Sequence, residues 1–393
     1  LRDGGYYNNW DFETELVEVY LRSMEKALID VVEIGFRSPP KASFMGPFIY
    51  STDEYLRTLP LPNGLMLGVM INASDYLDAA EKPKNMINKM FKSAQSSPVD
   101  IVRIAINFDQ ARDAEILVHE LKLLGYQVGL NLMQAQDKSG EQYQETAETI
   151  QAWDTVDVLY FADSLGSMDP SQVSFICGSL KKAWKGPLGI HTHNNKGMAL
   201  NNSLAAIDSG VSWCDSTIMG MGRGAGNVNT EALMLEFVNQ EKHSGAPSYL
   251  NECRKYFEPL MQEYGWGASP YYHYAANHNI HPTFVMHLLK EPRYKQEQIF
   301  PTLDSLAKKT HGFVGADINS LAKEAAMNVL RRNINKFNLE EDEEIPQSTL
   351  NELKVSKKDF DEALKIVRPS AMREVLVETP NTKCWRWKDL HPR

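Results

Sequence analysis

Two histidines, two positions apart, are the strongest chemical feature of the sequence. His191 and His193 stand at the end of an apolar run, residues 188–193. Residues i and i+2 of a β-strand point to the same face, so both imidazoles could bind one ion from one side. Packing or hydrogen bonding is the plainer alternative, but the Asn194 and Asn195 that follow favour a functional interpretation.

A carboxylate near the start of the chain could complete the ligand set. Asp3 lies in the Arg-Asp-Gly-Gly sequence of residues 2–5. One carboxylate and two imidazoles form a mixed oxygen and nitrogen set that suits Mn²⁺ or Mg²⁺, with Zn²⁺ ranked third. The glycines would let the backbone turn tightly beside the ion. The alternative is that Asp3 only caps the next helix.

A glycine-rich loop is the third element of this predicted site. Residues 220–227 read Gly-Met-Gly-Arg-Gly-Ala-Gly-Asn. Glycine at this density lets backbone N–H groups approach an anion or a metal-bound ligand. The side-chain carbonyl of Asn227 could complete a coordination shell. Such loops are common, so the prediction depends on all three segments together.

The elements that must position these residues form a repeating pattern from residue 1 to about 230. Short apolar runs alternate with amphipathic stretches, which predicts repeated βα units. With a strand that should end just before Arg2 there are eight, which predicts a (β/α)₈ TIM barrel with its active site at the C-terminal ends of the strands. A doubly wound open sheet is the rival, but no glycine-rich dinucleotide loop follows an early strand. The seven runs within the sequence are 30–36, 65–72, 101–107, 127–133, 156–162, 188–193 and 213–218.

Polar residues follow these apolar runs, as a site at the strand ends requires. We therefore expect the chemical groups among Arg2, Asp3, Glu33, Asn72, Asn107, Asn131, Asp163, His191, His193 and the 220–227 loop.

The predicted organisation is an α/β barrel followed by small all-α regions. We predict a catalytic barrel over residues 1–240 with a truncated first strand, a helical extension over 241–303 packing near the barrel mouth, and a further helical segment over 304–393. Because the sequence opens inside a motif, we expect that the chain lacks its true start.

Composition excludes several classes of protein. The 393 residues include 41 Lys and Arg against 51 Asp and Glu, a net charge of −10, which argues against a nucleic-acid binder. No apolar run reaches the roughly 18 residues of a membrane span. The four cysteines form no Cys-x-x-Cys pair, so neither a disulfide framework nor a thiolate zinc site is indicated, and a cytoplasmic protein is expected.

Four segments together carry a resemblance to a known family. Residues 2–5, 191–195, 202–206 and 220–227 resemble the DRE-TIM metallolyase superfamily, with the 4-hydroxy-2-oxovalerate aldolase group closest. Hydroxymethylglutaryl-CoA lyases and isopropylmalate synthases are more distant relatives. The resemblance covers about residues 1–300. It implies a divalent-metal-dependent carbon–carbon lyase (EC 4.1.3-like) that acts on a small 2-oxo acid such as pyruvate, and on an aldehyde, through a metal-stabilised enolate.

The resemblance also implies which residues form the metal site. The metal would be bound by Asp3, His191 and His193, with Asn227 as a further ligand. No residues that bind another cofactor are implied. The chemistry of the residues agrees, because a bound cation takes up the charge that develops on the enolate of a 2-oxo acid.

The implied catalytic residues include one departure from the family pattern. Arg2 would stabilise an enolate oxygen, and Glu33 would orient Arg2 or a metal-bound water, or simply be a buried ion-pair partner. The aldolases place a histidine base where this sequence has Tyr6 and Tyr7, and a phenol is a poor base at neutral pH. In the aldolases a helical domain contributes a tyrosine near the site, for which Tyr274 is the nearest match. Alternatively, the aromatic and histidine side chains of that segment pack a helical interface.

The C-terminal segment carries a second resemblance. From residue 310 to about 380 it is similar to the helical lid of a Cdc48-type AAA+ ATPase, which implies that His311, Gly315 and Ala316 match positions beside the adenine and ribose. The sequence contains no Gly-x-x-x-x-Gly-Lys-Ser/Thr motif, so we predict that the segment does not hydrolyse ATP. A natural fusion, a decayed remnant and a gene-assembly error remain open.

Two other functions stay open at this point. One is a Claisen-type condensation that uses an acyl-CoA thioester, as in the isopropylmalate synthases. The other is a catalytically silent barrel that serves a partner protein. The resemblance also suggests an aldehyde dehydrogenase partner, and we expect a homo-oligomer that binds neither nucleic acid nor membrane.

Overall fold

The computed structural model describes residues 1–290, 295–309 and 357–366, together with residues 324, 327, 328 and 331. The chain divides into two compact units, Leu1–Leu303 and Asp304–Arg393. The barrel and its helical extension belong to the first unit. The proposed border between them at residue 240 stays a prediction.

The first unit is built on a parallel sheet of seven strands that pair in chain order from β1 to β7. This curled sheet with its helices is the α/β barrel expected from the sequence. The strands are β1 Val31–Phe36, β2 Met66–Asn72, β3 Ile101–Asn107, β4 Gln127–Met133, β5 Val158–Asp163, β6 Leu188–Thr192 and β7 Trp213–Cys214.

The seventh strand is much shorter than its apolar run predicts. A strand over 213–218 is expected, but only Trp213–Cys214 pairs with β6. The backbone then turns into a 3₁₀ helix, Ile218–Gly220, inside which Met219 takes a φ of 51°. A positive φ cannot continue a strand, so the chain bends here towards the glycine-rich loop.

The strands are apolar because helices cover one face and the barrel interior packs against the other. In β3 and β5 nearly every side chain is buried. Arg103 is the one charged residue of β3, and it is only 4% exposed in the middle of this apolar strand. Gly129 of the neighbouring strand leaves room for its stem, because a Cβ there would lie 3.0 Å from Arg103 Cγ.

The helices follow the strands and bury one apolar face each. Two of them, Gly140–Trp153 and Pro170–Leu180, begin with capping boxes at Ser139 and Asp169, which satisfy backbone donors at their first turns. The helices are α1 Thr14–Lys26, α2 Pro47–Tyr50, α3 Asp53–Leu56, α4 Ala73–Leu77, α5 Pro83–Met90, α6 Glu115–Leu123, α7 Gly140–Trp153, α8 Pro170–Leu180, α9 Ala199–Asp208, α10 Thr230–Asn239, α11 Asn251–Tyr264, α12 Pro270–Asn277, α13 Pro282–Lys290, α14 Gln296–Lys309 and α15 Lys357–Ile366.

The first three residues lie between the two ends of the sheet. The backbone N–H of Arg2 donates to the carbonyl of Glu33 in β1 at 3.4 Å. On the other side, the carboxylate of Asp3 accepts a hydrogen bond from Asn227, which follows β7. Residues 1–3 thus join both sheet edges at the level of the C-terminal strand ends.

The structure can be compared with three other expectations from the sequence, which concern the cysteines, membrane-spanning helices and the nucleotide-facing positions. Cys177, Cys214 and Cys253 are free thiols, whereas Cys384 lies outside the described residues. None of the described helices is long and apolar enough to cross a membrane. The predicted nucleotide-facing positions His311, Gly315 and Ala316 also lie outside the described residues.

Candidate metal centre

The end of β6 presents two buried imidazoles to the barrel mouth. His191 is 5% exposed and His193 is 6% exposed, and their ring centroids are 4.9 Å apart in an edge-to-face arrangement. The residue between them, Thr192, turns away and contacts the hydroxyl of Ser203 on α9 at 3.1 Å. The alternation of the strand therefore puts both histidines on one side.

Asp3 joins the two histidines. One ligand atom from each of Asp3, His191 and His193 lies within 4.8 Å of the other two. Asp3 reaches this place through the tight turn that follows it. Side chains at Gly4 and Gly5 would collide with Met221 and with the indole of Trp10, respectively.

Hydrogen bonds fix which nitrogen each imidazole turns towards Asp3. His193 Nδ1 lies 2.8 Å from the backbone carbonyl of Asp163, and His191 Nδ1 lies 2.9 Å from Asp215 Oδ2. Because both acceptors require an N–H at Nδ1, the neutral form of each ring carries its lone pair on Nε2. His191 Nε2 is 3.5 Å from Asp3 Oδ2. Partners of this type orient histidine ligands in metal sites.

The charge states of the two histidines differ. Burial, and then the charge of His191, lowers the pKa of His193 to about 3, so its ring is neutral at physiological pH. Burial alone would also lower the pKa of His191, but hydrogen bonds to Asp215 and Asp3 outweigh burial and raise it. Arg2 likewise overcomes burial and holds the pKa of Asp3 well below its usual range. The cluster thus keeps a carboxylate and a neutral imidazole ready as ligands.

Asn227 supplies a fourth donor atom, an amide oxygen, at the same place. Its Nδ2 donates to Asp3 Oδ2, while its Oδ1 is buried and has no hydrogen-bond partner among the described residues. A buried amide oxygen without a partner is rare, since desolvation costs free energy unless a donor or cation compensates it. Together with Asp3, His191 and His193 it forms a donor set that fits a divalent cation.

A chain of buried ion pairs surrounds this cluster. Arg2 donates from Nη1 to Asp3 and from Nε to Glu33 Oε1, both at 2.6 Å. The second oxygen of Glu33 is 3.1 Å from Arg103, and Arg103 is 2.8 Å from Asp215. Since Asp215 also contacts His191, the side chains form a closed ring that returns to Asp3.

The asparagines after His193 hold the glycine-rich loop instead of contacting the imidazoles. The N–H of Asn194 donates to the carbonyl of Gly226 at 2.7 Å, and Asn195 Oδ1 accepts from the N–H of Ala225 at 3.0 Å. Gly224 takes a φ of +70°, and a Cβ there would lie 2.7 Å from Asn195 Oδ1. These contacts explain why this loop needs glycine and why Asn227 reaches Asp3.

Tyr6 and Tyr7 occupy the position where a histidine base is expected. The guanidinium of Arg223 lies over the Tyr6 ring, 4.0 Å from its centroid, and Trp10 packs on Tyr6 edge to face. The hydroxyl of Tyr7 donates to the carbonyl of Gly222 at 2.9 Å. Burial, more than any neighbouring charge, raises the pKa of Tyr7, which makes it a still weaker base.

One tyrosine of α12, Tyr272, packs near the glycine-rich loop. A Cβ at Gly224 would lie 3.4 Å from the Tyr272 ring. Tyr274 packs instead against His278, at 4.3 Å between centroids, and against Phe300. Residues i and i+2 of a helix do not face the same way, so Tyr272 is a second candidate beside Tyr274, whose role stays a prediction.

Two residues of this neighbourhood, Arg103 and Asp215, are not predicted from the sequence. A signal existed for both of them. Arg103 interrupts an apolar strand, and a charge there needs a buried partner. Asp215 likewise is a charged residue inside the predicted apolar run 213–218.

The fold and this cluster define a parallel α/β barrel with an Asp-His-His site at the C-terminal ends of its strands. The model of the HMGL-like family matches residues 1–251, and the chain belongs to this family. A 4-hydroxy-2-oxovalerate aldolase from Pelotomaculum thermopropionicum is 30% identical over 266 residues, which cover 67% of this chain and 75% of the relative.

Solved structures agree with this assignment. The crystal structure of the N-terminal domain of a Bacteroides vulgatus protein, provisionally described as an aldolase, has a TM-score of 0.66 and 30% identity, and the match covers 77% of this chain and 97% of that one. The HMG-CoA lyase of Brucella melitensis shares the fold at 14% identity, with a TM-score of 0.54 over 66% of this chain and 96% of that one.

The C-terminal residues match a different family. The AAA+ lid domain model matches residues 302–344. A Cell division cycle protein 48 homolog from Archaeoglobus fulgidus is 54% identical over 88 residues, which cover 22% of this chain and 12% of that protein. The chain therefore spans only a small part of this relative.

Proposed function

We propose that the protein is a divalent-metal-dependent carbon–carbon lyase or aldolase that acts on a small 2-oxo acid such as pyruvate. The observation that carries this proposal is the convergence of Asp3, His191 and His193, with both Nδ1 atoms engaged by acceptors. The curated aldolase relative supports the same chemistry. A bound Mn²⁺ or Mg²⁺ would supply stabilisation of the enolate charge.

The proposed roles of the side chains follow from their contacts. Asp3, His191 and His193 would hold the cation, and Asn227 would add its free Oδ1. Arg2 would steady the enolate oxygen. Glu33 would position Arg2, because its carboxylate accepts from Arg2 Nε at 2.6 Å.

In the direction of bond formation, C3 of the 2-oxo acid loses a proton and bonds to the aldehyde carbon, whose oxygen takes up a proton. Cleavage is the reverse. Tyr6 stands where the family's base is expected. We propose that Tyr6, together with Tyr274 or the nearby Tyr272 of α12, relays these protons. An aldehyde dehydrogenase partner, a homo-oligomeric state and a cytoplasmic location stay predictions.

Deuterium exchange tests the proposal without knowledge of the second substrate. The protein is incubated with pyruvate and Mg²⁺ in D₂O, and loss of the methyl signal is followed by proton NMR. We expect exchange by the wild type and by His119→Ala, which removes an exposed histidine of α6. Exchange should disappear with EDTA and in His191→Ala.

Exchange that persists with EDTA or in His191→Ala would refute the assigned ligands. No exchange in the wild type would refute enolate formation on pyruvate and direct attention to the acyl-thioester condensation. Release of free thiol from acetyl-CoA with several 2-oxo acids would then decide that alternative.

A further inference from the structure

Arg223 is a partly buried cation of the glycine-rich loop with no acidic partner among the described residues. Its guanidinium stacks on the Tyr6 ring, and its Nε is buried without a hydrogen-bond acceptor. A guanidinium withdrawn from water costs free energy unless an anion compensates it. Stacking on the ring face offsets part of this cost but leaves the N–H edge free.

The arginines of the described chain that are more deeply buried than Arg223 are all compensated. Each of them has at least one carboxylate within 3.1 Å. These pairs are Arg2 with Asp3 and Glu33, Arg37 with Asp53, and Arg103 with Glu33 and Asp215. The missing partner of Arg223 is therefore a specific property of this residue and not of buried arginines in this fold.

The position of Arg223 is between the metal cluster and the helices α12 and α13. After burial, its charge contributes to the lowered pKa of both His193 and His281. The next residue, Gly224, lies against the Tyr272 ring and Pro282 of these helices. Arg223 thus lies close to the metal cluster, on the side of α12 and α13.

We propose that Arg223 binds an acidic group, a carboxylate or a phosphate, on the aldehyde substrate, and that the enzyme is selective for anionic aldehydes. This inference rests on the proposed function. A planar guanidinium with a free edge can hold either group through two parallel hydrogen bonds. The 2-oxo acid is the weaker candidate, because its own carboxylate is expected at the Asp3, His191 and His193 cluster.

Calorimetric titration with unreactive probes tests this assignment. Wild type, Arg223→Gln, Arg223→Lys and Arg22→Gln are titrated with glycerol 3-phosphate, succinate and glycerol in the presence of Mg²⁺. Arg22 is an exposed arginine of α1 and serves as the matched control. Thermal melting first establishes that each variant is folded, and Arg223→Lys keeps the charge if Arg223→Gln does not fold.

We expect the wild type and Arg22→Gln to bind at least one anion and not glycerol. Arg223→Gln should bind that anion at least tenfold more weakly, with Arg223→Lys between them. The anion that binds distinguishes carboxylate from phosphate. With active protein, Arg223→Gln should lower kcat/KM for an anionic aldehyde such as succinic semialdehyde. This fold-decrease should be at least ten times larger than the fold-decrease for the uncharged propanal.

Equal anion affinity in wild type and Arg223→Gln, or no anion binding to the wild type, would overturn the inference. A raised KM for pyruvate in the exchange assay with unchanged anion affinity would assign Arg223 to the 2-oxo acid and overturn it too. If the wild type exchanges the pyruvate protons but anion binding does not depend on Arg223, the assignment of Arg223 is refuted and the proposed function stands. If anion binding depends on Arg223 but the wild type does not exchange the pyruvate protons, the proposed function is refuted, and with it the aldehyde as the ligand of Arg223.

Discussion

His191 and Asp215 are joined by a hydrogen bond of 2.9 Å between Nδ1 and Oδ2, and the same carboxylate oxygen lies 2.8 Å from Arg103. The residue that orients a candidate ligand is therefore itself held by a buried ion pair. Arg103 overcomes burial and keeps the pKa of Asp215 below its usual range, so the acceptor stays ionised.

Asp215→Asn should weaken Mn²⁺ binding about 10- to 100-fold, because the amide no longer fixes the proton of His191 on Nδ1. Titration calorimetry of the metal-free protein measures this directly. Asp208→Asn, on the exposed end of α9, is the matched control and should bind Mn²⁺ like the wild type. Unchanged affinity in Asp215→Asn would show that Asp215 does not orient a ligand.

Arg103→Met should lower the free energy of unfolding by about 3–5 kcal/mol, because it removes the guanidinium beside Asp215 and leaves Glu33 with Arg2 as its one remaining arginine partner. Urea denaturation followed by circular dichroism gives the value. Lys92→Met breaks the exposed ion pair with Glu54 and should cause no resolvable loss. If Arg103→Met and Lys92→Met lowered the free energy of unfolding by similar amounts, burial would not explain the contribution of the Arg103 ion pairs.

His281→Gln should remove a part of the pH dependence of stability. Burial, and then Arg223, lowers the pKa of His281 from 6.5 to about 4 in the folded protein. Because the unfolded chain binds the proton of His281 more tightly than the folded protein does, the free energy of unfolding decreases as pH falls from 6.5 to 4, by up to about 3 kcal/mol. Urea denaturation gives the free energy of unfolding at pH 7.5 and at pH 4.5. The difference between these two values should be smaller for His281→Gln than for the wild type, and for His119→Gln it should equal that of the wild type. Equal pH dependence in wild type and His281→Gln would refute the assigned shift.

Gly222→Ala should weaken Mn²⁺ binding by about tenfold, since its Cβ would lie 2.7 Å from Asn227 Nδ2 and displace that amide. Gly178→Ala, inside α8 with open space around the new methyl group, should leave the affinity unchanged and raise the free energy of unfolding by roughly 0.5–1 kcal/mol. Calorimetry and urea denaturation compare the two. Wild-type affinity in Gly222→Ala would argue against Asn227 as a ligand.

Local patterns were enough to predict the strands and the spacing of His191 and His193, because a buried parallel strand must be apolar and must alternate. The short β7 was not predictable, since the bend at Met219 depends on contacts of the following loop. Asp215 and Arg103 were missed for the same reason: their partners are distant in sequence. Tyr272 was not distinguished from Tyr274 because an aromatic-rich helix carries no marker for the face that turns inward.

The hydrogen bond between Asn227 and Asp3 spans 224 positions of the chain. During synthesis on a ribosome, Asp3 is therefore made early, whereas Asn227 is added only after almost the whole barrel has emerged. Contacts of such long separation form late in folding because they close a large loop. A nascent or truncated chain that stops before residue 227 would hold both histidines but an incomplete cation site, so that uptake of the ion would report that the barrel had closed.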